Sequence, residues 1–290
     1  MRFRVTHSTT YDYSSNVSLC HNVARLLVRD TRRQHCHSSV LQIEPLPTGM
    51  NEWRDLFGNR QVNFSIETPH NRLVVRATSE VELETGVALD MLFPVSWETA
   101  AGMMKTEKDA DTLEARLYLL HTDFTEAGPE VIEYARPSFP PGRSLIEGVE
   151  DLMHRINKDF TYDPGFSTIA TPLRDVIAHK RGVCQDFAHF AIACLRSMGL
   201  AARYVSGYIE TVPPEGKEKL VGVDASHAWF SVYVPQRGWM DFDPTNAQIP
   251  LDQHITVAWG RDYADVAPLK GVVYGGGKHR LGVAVNVERL

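Results

Sequence analysis

Residues 182–199 read GVCQDFAHFAIACLRSMG, and they predict a helix that begins at a cysteine and is buried along one side. Apolar residues recur at helical spacing, at positions 183, 187, 190, 191, 194, 195 and 198. Gly199 is typical of a helix end, because glycine readily adopts the left-handed conformation that follows the last turn. Cys184 therefore stands in the first turn, whereas Cys194 lies on the apolar side and is expected in the core.

Cys184 is either a packed thiol or a nucleophile. A thiol attacks as the thiolate, and the pKa of a free cysteine, about 8.5, is lowered by a helix N-terminus and by a neighbouring imidazolium. The helix start supplies the first of these conditions, and its backbone N–H groups are suited to hold an oxyanion. The second condition requires a histidine from elsewhere in the fold.

Two predicted strands downstream supply a histidine and two carboxylates. The segment ASHAWFSVYVP (225–235) carries His227, and GWMDFDP (238–244) carries Asp241 and Asp243. Paired strands of a hairpin lie about 5 Å apart, so a carboxylate on the second strand can orient the ring of His227. Asp243 stands immediately before a proline, where the strand must end. A cysteine, a histidine and an aspartate in this order predict a nucleophilic triad.

The segments GVCQDFAHFAIACLRSMGLAARYVSGY (182–208) and HAWFSVYVPQRGWMDFDPTN (227–246) resemble the transglutaminase-like core. The resemblance covers roughly residues 140–260. It implies a papain-type Cys-His-Asp triad, which this family uses for transglutamination, peptide hydrolysis or amide hydrolysis. Upstream, HSTTYDY, LQIEPLP and DLFGNRQVNFSIETPHNRLVV resemble the β-rich N-terminal region of bacterial transglutaminase-like proteins, often described as cysteine proteases.

The resemblance implies a role for each of three residues. Cys184 is the nucleophile, His227 is the base and Asp243 is the orienting carboxylate. Asp243 falls four residues after the tryptophan of GW, as the family pattern has it, and Asp241 is the weaker candidate.

Three further residues are predicted to contact substrate or stabilise the oxyanion. The animal enzymes of the family use an upstream tryptophan as an oxyanion donor, and none lies between Trp97 and Cys184. Tyr162 is the expected substitute, and Gln185 is expected to shape the pocket. Trp229, next but one to the base, either lines an acyl groove or packs in the core. The calcium sites of the animal enzymes cannot be mapped onto the chain, and no cofactor or metal is predicted.

The fold class indicated is α+β: a papain/transglutaminase-like core, with helices packed on an antiparallel sheet, preceded by a β-sandwich-like N-terminal domain. Residues 1–100 predict this β-rich domain, since short alternating strands are separated by turns. Residues 101–290 predict the catalytic core, which ends in a hairpin formed by KGVVYGGG and LGVAVNVERL. Residues 211–226 predict a loop over the site, either a lid or a solvated connector.

Charge and hydropathy exclude some classes of partner. The formal net charge is −6, and no long run of lysine and arginine occurs, which disfavours nucleic-acid binding. No apolar run approaches the roughly 18–20 residues of a membrane span, and the N-terminus shows no secretory signal, so we expect a cytoplasmic protein. His35 and His37 share a strand face, but their spacing fits no structural zinc pattern.

The sequence therefore predicts a thiol-dependent enzyme that acts on amide or peptide bonds of a peptide or protein through a thioester. Hydrolysis, by a cysteine protease or amidase, is favoured. Transfer to an amine, as in a protein-glutamine transglutaminase, is the alternative. A non-catalytic scaffold, whose β-rich domain binds a partner, is the third possibility.

Overall fold

The structure, a computed structural model of the 290-residue chain, describes residues 1–84, 95–126, 128–210 and 225–290. The predicted lid segment therefore lies almost entirely outside the described residues. The strands are β1 (Arg2–Ala24), β2 (Gln34–Glu44), β3 (Gly49–Arg54), β4 (Arg60–Ile66), β5 (His70–Leu83), β6 (Thr161–Tyr162), β7 (Arg181–Gly182), β8 (Ala202–Ile209), β9 (Ala225–Val234), β10 (Gly238–Phe242), β11 (His254–Gly260), β12 (Leu269–Gly275) and β13 (His279–Arg289). The α-helices are α1 (Trp97–Thr106), α2 (Ala110–Ala115), α3 (Pro129–Ala135), α4 (Leu145–Asp159), α5 (Leu173–His179), α6 (Cys184–Ser197) and α7 (Tyr263–Val266).

The N-terminal part is one antiparallel sheet of seven strands organised around β1, in the order β2-β5-β1-β4-β3, with β12 and β13 also paired to β1. The 23-residue strand β1 pairs with two different sets of strands along its length. Its first half pairs with β5 and β13, and its second half pairs with β4 and β12.

The C-terminal strands correct one expectation. They were predicted to form a hairpin of the catalytic core, but each pairs with β1 of the N-terminal sheet. The physical reason is burial: β13 packs Val285 and Val287 into the same apolar cluster as Phe3 and Val5 of β1. The chain thus returns to its first sheet after completing the core. The boundary at residue 100 stays a prediction, and α1 spans that position.

The core is a four-stranded antiparallel sheet, in the order β10-β9-β8-β11, with α6 packed on β8 and β9. The α6 helix is enclosed further than its periodicity predicts, since every residue from 186 to 196 is buried. Helices α3, α4 and α5 cover the side that was expected to be exposed. The polar residues of α6 tolerate burial because they form hydrogen bonds. Arg196, for example, donates to the carbonyls of Tyr118 and Ala202. Gly199 ends the helix with φ at 75°, as expected.

The two parts share one apolar core and are also joined through backbone groups of β11. The side-chain amide of Gln34 both donates to the carbonyl of Thr256 (2.7 Å) and accepts its N–H (2.8 Å). Asn59 makes the same pair of bonds with Trp259 (2.8 and 2.9 Å). These two amides cover the edge of the core sheet as a further strand would, and they fix its position against the N-terminal sheet. Within the described ranges, no helix combines the length and apolar character that a membrane span requires.

Candidate active site

Cys184 opens α6, and the residue before it is held in place by a buried carboxylate. Val183 is extended, and its N–H donates to Oδ2 of Asp186 (2.8 Å). The same oxygen accepts the hydroxyl of Ser167 (2.5 Å). Burial raises the pKa of Asp186, and these two bonds oppose the rise. The first-turn N–H groups at Cys184 and Gln185 have no acceptor within the helix, as at any helix start, and so are available to an anion.

His227 meets the predicted carboxylate. Its Nε2 lies 2.8 Å from Oδ2 of Asp243, and both side chains are buried. Asp243 follows the last residue of β10, where the chain turns and its Oδ1 accepts the backbone N–H groups of Thr245 (2.9 Å) and Asn246 (3.2 Å). Asp241, the weaker candidate, accepts the hydroxyl of Ser231 instead. The geometry therefore selects Asp243 as the partner of His227.

A second histidine, which the sequence did not single out, shares this carboxylate. His254 Nε2 lies 2.9 Å from Oδ2 of Asp243, and the side-chain amide of Asn246 donates to the same oxygen at 2.7 Å. The side-chain donor atoms of His227, Asp243 and His254 all lie within 4.8 Å, so these three residues could hold a metal ion. A metal would replace the two imidazole–carboxylate hydrogen bonds, because it would use the same nitrogen and oxygen atoms.

The surroundings of His227 favour its charged form. Burial lowers the pKa of His227, but hydrogen bonds and charges from Asp243 and Cys184 outweigh burial and raise that pKa to about 10. Burial raises the pKa of Asp243, but its bonds with His227 and His254 bring that pKa well below its usual range. Since Nε2 of His227 is engaged with Asp243, Nδ1 remains for the thiol. The site is therefore suited to an imidazolium held between a carboxylate and the sulfur of Cys184.

Cys184 and His227 line a cavity of about 340 Å³ at the junction of the two sheets. The core contributes Tyr204 and Ser206, which carry hydroxyl groups. The N-terminal sheet contributes residues 7, 9 and 11 of β1 and residues 281 and 283 of β13.

We define Tyr11, Leu281 and Val283 as the groove wall. Tyr11 pairs with Leu281 across the two strands, so their side chains share a face. Leu281 and Val283 are 51% and 52% exposed. Below the wall, the buried ring of His7 hydrogen-bonds the hydroxyl of Tyr208 in β8 (3.1 Å). The N-terminal sheet thus supplies a rigidly attached apolar side of the cavity.

The three other predicted site residues occupy different positions. Gln185 lines the cavity beside Cys184. Tyr162 is half-exposed, and its pKa is raised by burial and then by the neighbouring Cys184, but it is not among the cavity-lining residues. Trp229 is fully buried, with its ring centroid 6.0 Å from that of His227 and 5.1 Å from that of His254. Trp229 therefore packs beneath the base and does not line a groove.

Two residues of the site, Asn246 and His254, were not predicted from the sequence, although each carries a weak local signal. Asn246 ends the segment DPTN, which is typical of a turn that folds back on the aspartate. His254 is the polar first residue of a strand that is otherwise apolar except for Thr256. Nothing in the sequence relates His254 to Asp243, because the two meet only when β11 joins the sheet beside β8.

A cysteine at a helix N-terminus, beside a histidine held by a buried carboxylate, is the arrangement of thiol-dependent enzymes. Residues 3–82 match the bacterial transglutaminase-like N-terminal region, and residues 133–244 match the transglutaminase-like superfamily. The chain belongs to the transglutaminase-like superfamily.

Similar proteins include relatives along the whole chain. An uncharacterised Mycobacterium tuberculosis protein is 42% identical over 94% of this chain and 88% of its own length, and one from Mycobacterium leprae is 32% identical over 100% and 99%. A Pseudomonas aeruginosa protein-glutamine gamma-glutamyltransferase is 32% identical over 44% of this chain and 20% of its own. A Cytophaga hutchinsonii crystal structure described as a "Putative Cysteine Protease" shares the fold, with a TM-score of 0.74 at 23% identity, covering 100% of this chain and 91% of that one.

Proposed function

We propose that this protein is a cysteine hydrolase that cleaves amide or peptide bonds through a thioester on Cys184, with His227 as base and Asp243 as orienting carboxylate. The observation that carries the proposal is the position of His227. Its Nε2 is fixed on a buried carboxylate, and its Nδ1 is left for a cysteine at a helix N-terminus in the same cavity.

In the first step, the Cys184 thiolate attacks the carbonyl carbon of a substrate amide. The imidazolium of His227 then gives its proton to the departing amine, and the amide C–N bond breaks as the thioester remains. Asp243 keeps the ring in place and stabilises its positive charge. In the second step, neutral His227 takes a proton from water as the water oxygen attacks the thioester carbonyl carbon. The C–S bond then breaks, which releases the carboxylic acid and restores the Cys184 thiolate beside the His227 imidazolium.

The oxyanion of each step requires hydrogen-bond donors. The backbone N–H of Cys184 is one donor, because it stands at the first position of α6. Gln185 is the preferred second donor over Tyr162, since its side chain lines the cavity.

Hydrolysis is favoured over transfer because the cavity offers water a place next to the thioester. Ser206 and Ser226 contribute hydroxyl groups to its lining, and Ser226, beside the base, is exposed. A transferase must instead exclude water from the thioester until an amine arrives. Transfer of a glutamine acyl group remains the second candidate, supported by the likeness to the Pseudomonas aeruginosa enzyme.

The groove wall supports a choice of substrate. Because Tyr11, Leu281 and Val283 form an apolar side of the cavity, the preferred substrate carries an apolar side chain next to the cleaved amide. A partner-binding scaffold would not require the buried charge pair beneath the cysteine.

The experiment is incubation of the protein with a mixed peptide library, with and without a primary amine, followed by mass spectrometry. Cleaved or deamidated peptides that are absent with Cys184→Ala support hydrolysis. Amine adducts that depend on Cys184 support transfer. Equal products from wild type and Cys184→Ala would overturn both.

A further inference from the structure

A second cavity, of about 430 Å³, lies on the face of the core sheet opposite α6; we call it the back cavity. Strand alternation separates it from the thiol site: Arg203 and Val205 of β8 line the back cavity, whereas Tyr204 and Ser206 line the cavity of Cys184. Its volume is within the range of small-ligand pockets.

Arg203 dominates the inner part of this cavity. It is only 8% exposed, and its guanidinium lies over the rings of Trp259 (3.7 Å) and Trp239 (4.4 Å). The stacked rings leave the edge of the guanidinium for hydrogen bonds. Burial lowers the pKa of Arg203 to about 10, so it stays charged at neutral pH.

The hydrogen bonds of Arg203 differ from those of the two other buried arginines. Arg196 donates through both terminal nitrogens to carbonyl and hydroxyl oxygens, and Arg29 donates through Nη1 to Phe57 and Asn59. Arg203 makes one hydrogen bond to the described residues, from Nε to Ser231 (3.3 Å). The hydrogen bonds of the described residues give its two terminal nitrogens no acceptor, and Arg203 lines the cavity.

Asp241 also lines this cavity, but its carboxylate does not pair directly with Arg203. Asp241 accepts the hydroxyl of Ser231, so it is linked to Arg203 through that hydroxyl and forms no ion pair with it. The exposed part of the lining carries both signs of charge. Asp111 and Glu114 of α2 are exposed carboxylates, and Arg32 and Arg237 contribute guanidinium groups elsewhere in the lining. A charged guanidinium edge at depth and acidic groups near the mouth complement a ligand with a carboxylate at one end and an ammonium at the other.

We propose that the back cavity binds an amino acid or short peptide, with its carboxylate on the edge of Arg203 and its ammonium toward Asp111 and Glu114. The planar fork of arginine matches a carboxylate in two parallel bonds, which lysine does not reproduce. This site is independent of the proposed activity, because none of its groups belongs to the thiol site.

The test is isothermal titration of the Cys184→Ala protein, which prevents turnover, with Ala-Ala-Ala, its C-terminal amide and its N-acetyl form. We expect the free tripeptide to bind at least about 10-fold more tightly than the amide, and the acetylated form to bind between the two. Succinate, which carries two carboxylates and no ammonium group, is titrated as a further ligand. Tighter binding of succinate than of the tripeptide would show a dicarboxylate site and overturn the assignment.

The variants Arg203→Lys and Arg29→Lys form a matched pair, since both arginines stack on Trp259 and only Arg203 lines the cavity. Arg203→Lys should abolish the preference for the free acid, and Arg29→Lys should keep it, with thermal unfolding as the check that both fold. Equal binding of acid and amide by the Cys184→Ala protein, or no binding of either, overturns the proposal even if Arg203→Lys does not fold.

Discussion

His254 donates to the carboxylate of Asp243 at 2.9 Å, on the same oxygen that holds the proposed base. Asp243 is fully buried, so an unpaired lone pair there would be costly. The second imidazole therefore fixes the carboxylate in one orientation, and through it the ring of His227. We assign His254 as a positioning residue, because it does not line the cavity of Cys184.

Removal of this second donor should impair the base without affecting substrate contacts. We expect His254→Phe to lower kcat about 10- to 100-fold at unchanged KM, since a small displacement of a reacting group has an effect of this size. His254→Gln, which keeps a donor, should recover most of the rate. An equal loss in both variants, at equal thermal stability, would contradict the positioning role.

Asp241 lies in β10 and Asp243 follows its last residue. The two can be compared directly, because only Asp243 bonds to His227. Asp243→Asn should lower kcat by roughly 10²–10⁴-fold, because an amide neither stabilises the imidazolium nor fixes its tautomer. It should also lower the pKa of His227, which the bond with Asp243 raises. The pH profile of thiol alkylation measures that change. Asp241→Asn, which removes the charge of a carboxylate bonded to Ser231 and not to His227, is the control and should retain the wild-type profile.

The charge pair of His227 and Asp243 predicts how the free energy of unfolding depends on pH. The pKa of His227 in the folded protein lies above its ordinary value, so its contribution is complete below about pH 6.5 and is lost as the pH rises toward 10. The pKa of Asp243 is depressed, so its contribution is present above about pH 4 and is lost in acid. The difference in unfolding free energy between wild type and His227→Ala, from urea titrations, should decrease steadily from pH 6 to pH 10. A constant difference over that range would show that the folded pKa is not raised.

The groove wall can be tested by charge. Leu281→Lys and Val283→Lys should raise KM several-fold for peptides with an apolar residue beside the cleaved bond, because they place a charge in the apolar side of the cavity. Val272→Lys, on β12 of the same sheet and 59% exposed, does not line this cavity and is the control. If all three variants show the same KM for apolar and acidic peptides as the wild type, the wall does not select substrate.

Two glycines give opposite expectations for stability. A Cβ at Gly207 would lie 2.1 Å from the carbonyl oxygen of Ile255 and 2.5 Å from the ring of Trp229, so Gly207→Ala should destabilise by about 1–3 kcal/mol. Gly102, exposed in α1, has nothing within 4 Å of its Cβ position, and Gly102→Ala should stabilise by about 0.5–1 kcal/mol. Urea unfolding measures both changes. Equal stability of Gly207→Ala and wild type would show that Trp229 and β11 can shift freely.

The sequence was sufficient to place residues whose position in the fold is encoded locally; their catalytic roles stay a prediction. Cys184 could be placed because helical periodicity, a helix start and a terminal glycine coincide. His227 and Asp243 could be paired because they stand on consecutive strands joined by a short turn, and the hydrogen bond between them confirms that pairing.

Features that depend on the pairing of strands far apart in the chain could not be predicted from sequence patterns. The alternation of β13 shows a strand but not its partner, and β1 is about 270 residues away in the chain. The groove wall and His254 depend on such pairings. The full burial of α6 was missed for a different reason: its polar residues have the pattern of an exposed face, although Asp186, His189 and Arg196 are each satisfied by a backbone group.

The most direct test of the central proposal is the rate of iodoacetamide labelling of Cys184 against pH, followed by peptide mass spectrometry in wild type and His227→Ala. Cys36 is an internal control, because it is also half-buried and its pKa is raised by burial. The proposed thiolate–imidazolium pair predicts rapid labelling of wild-type Cys184 near pH 6, with a shift in His227→Ala to the profile of an ordinary thiol near pH 8.5. Superimposable profiles for the two proteins, both following an ordinary thiol, would contradict it.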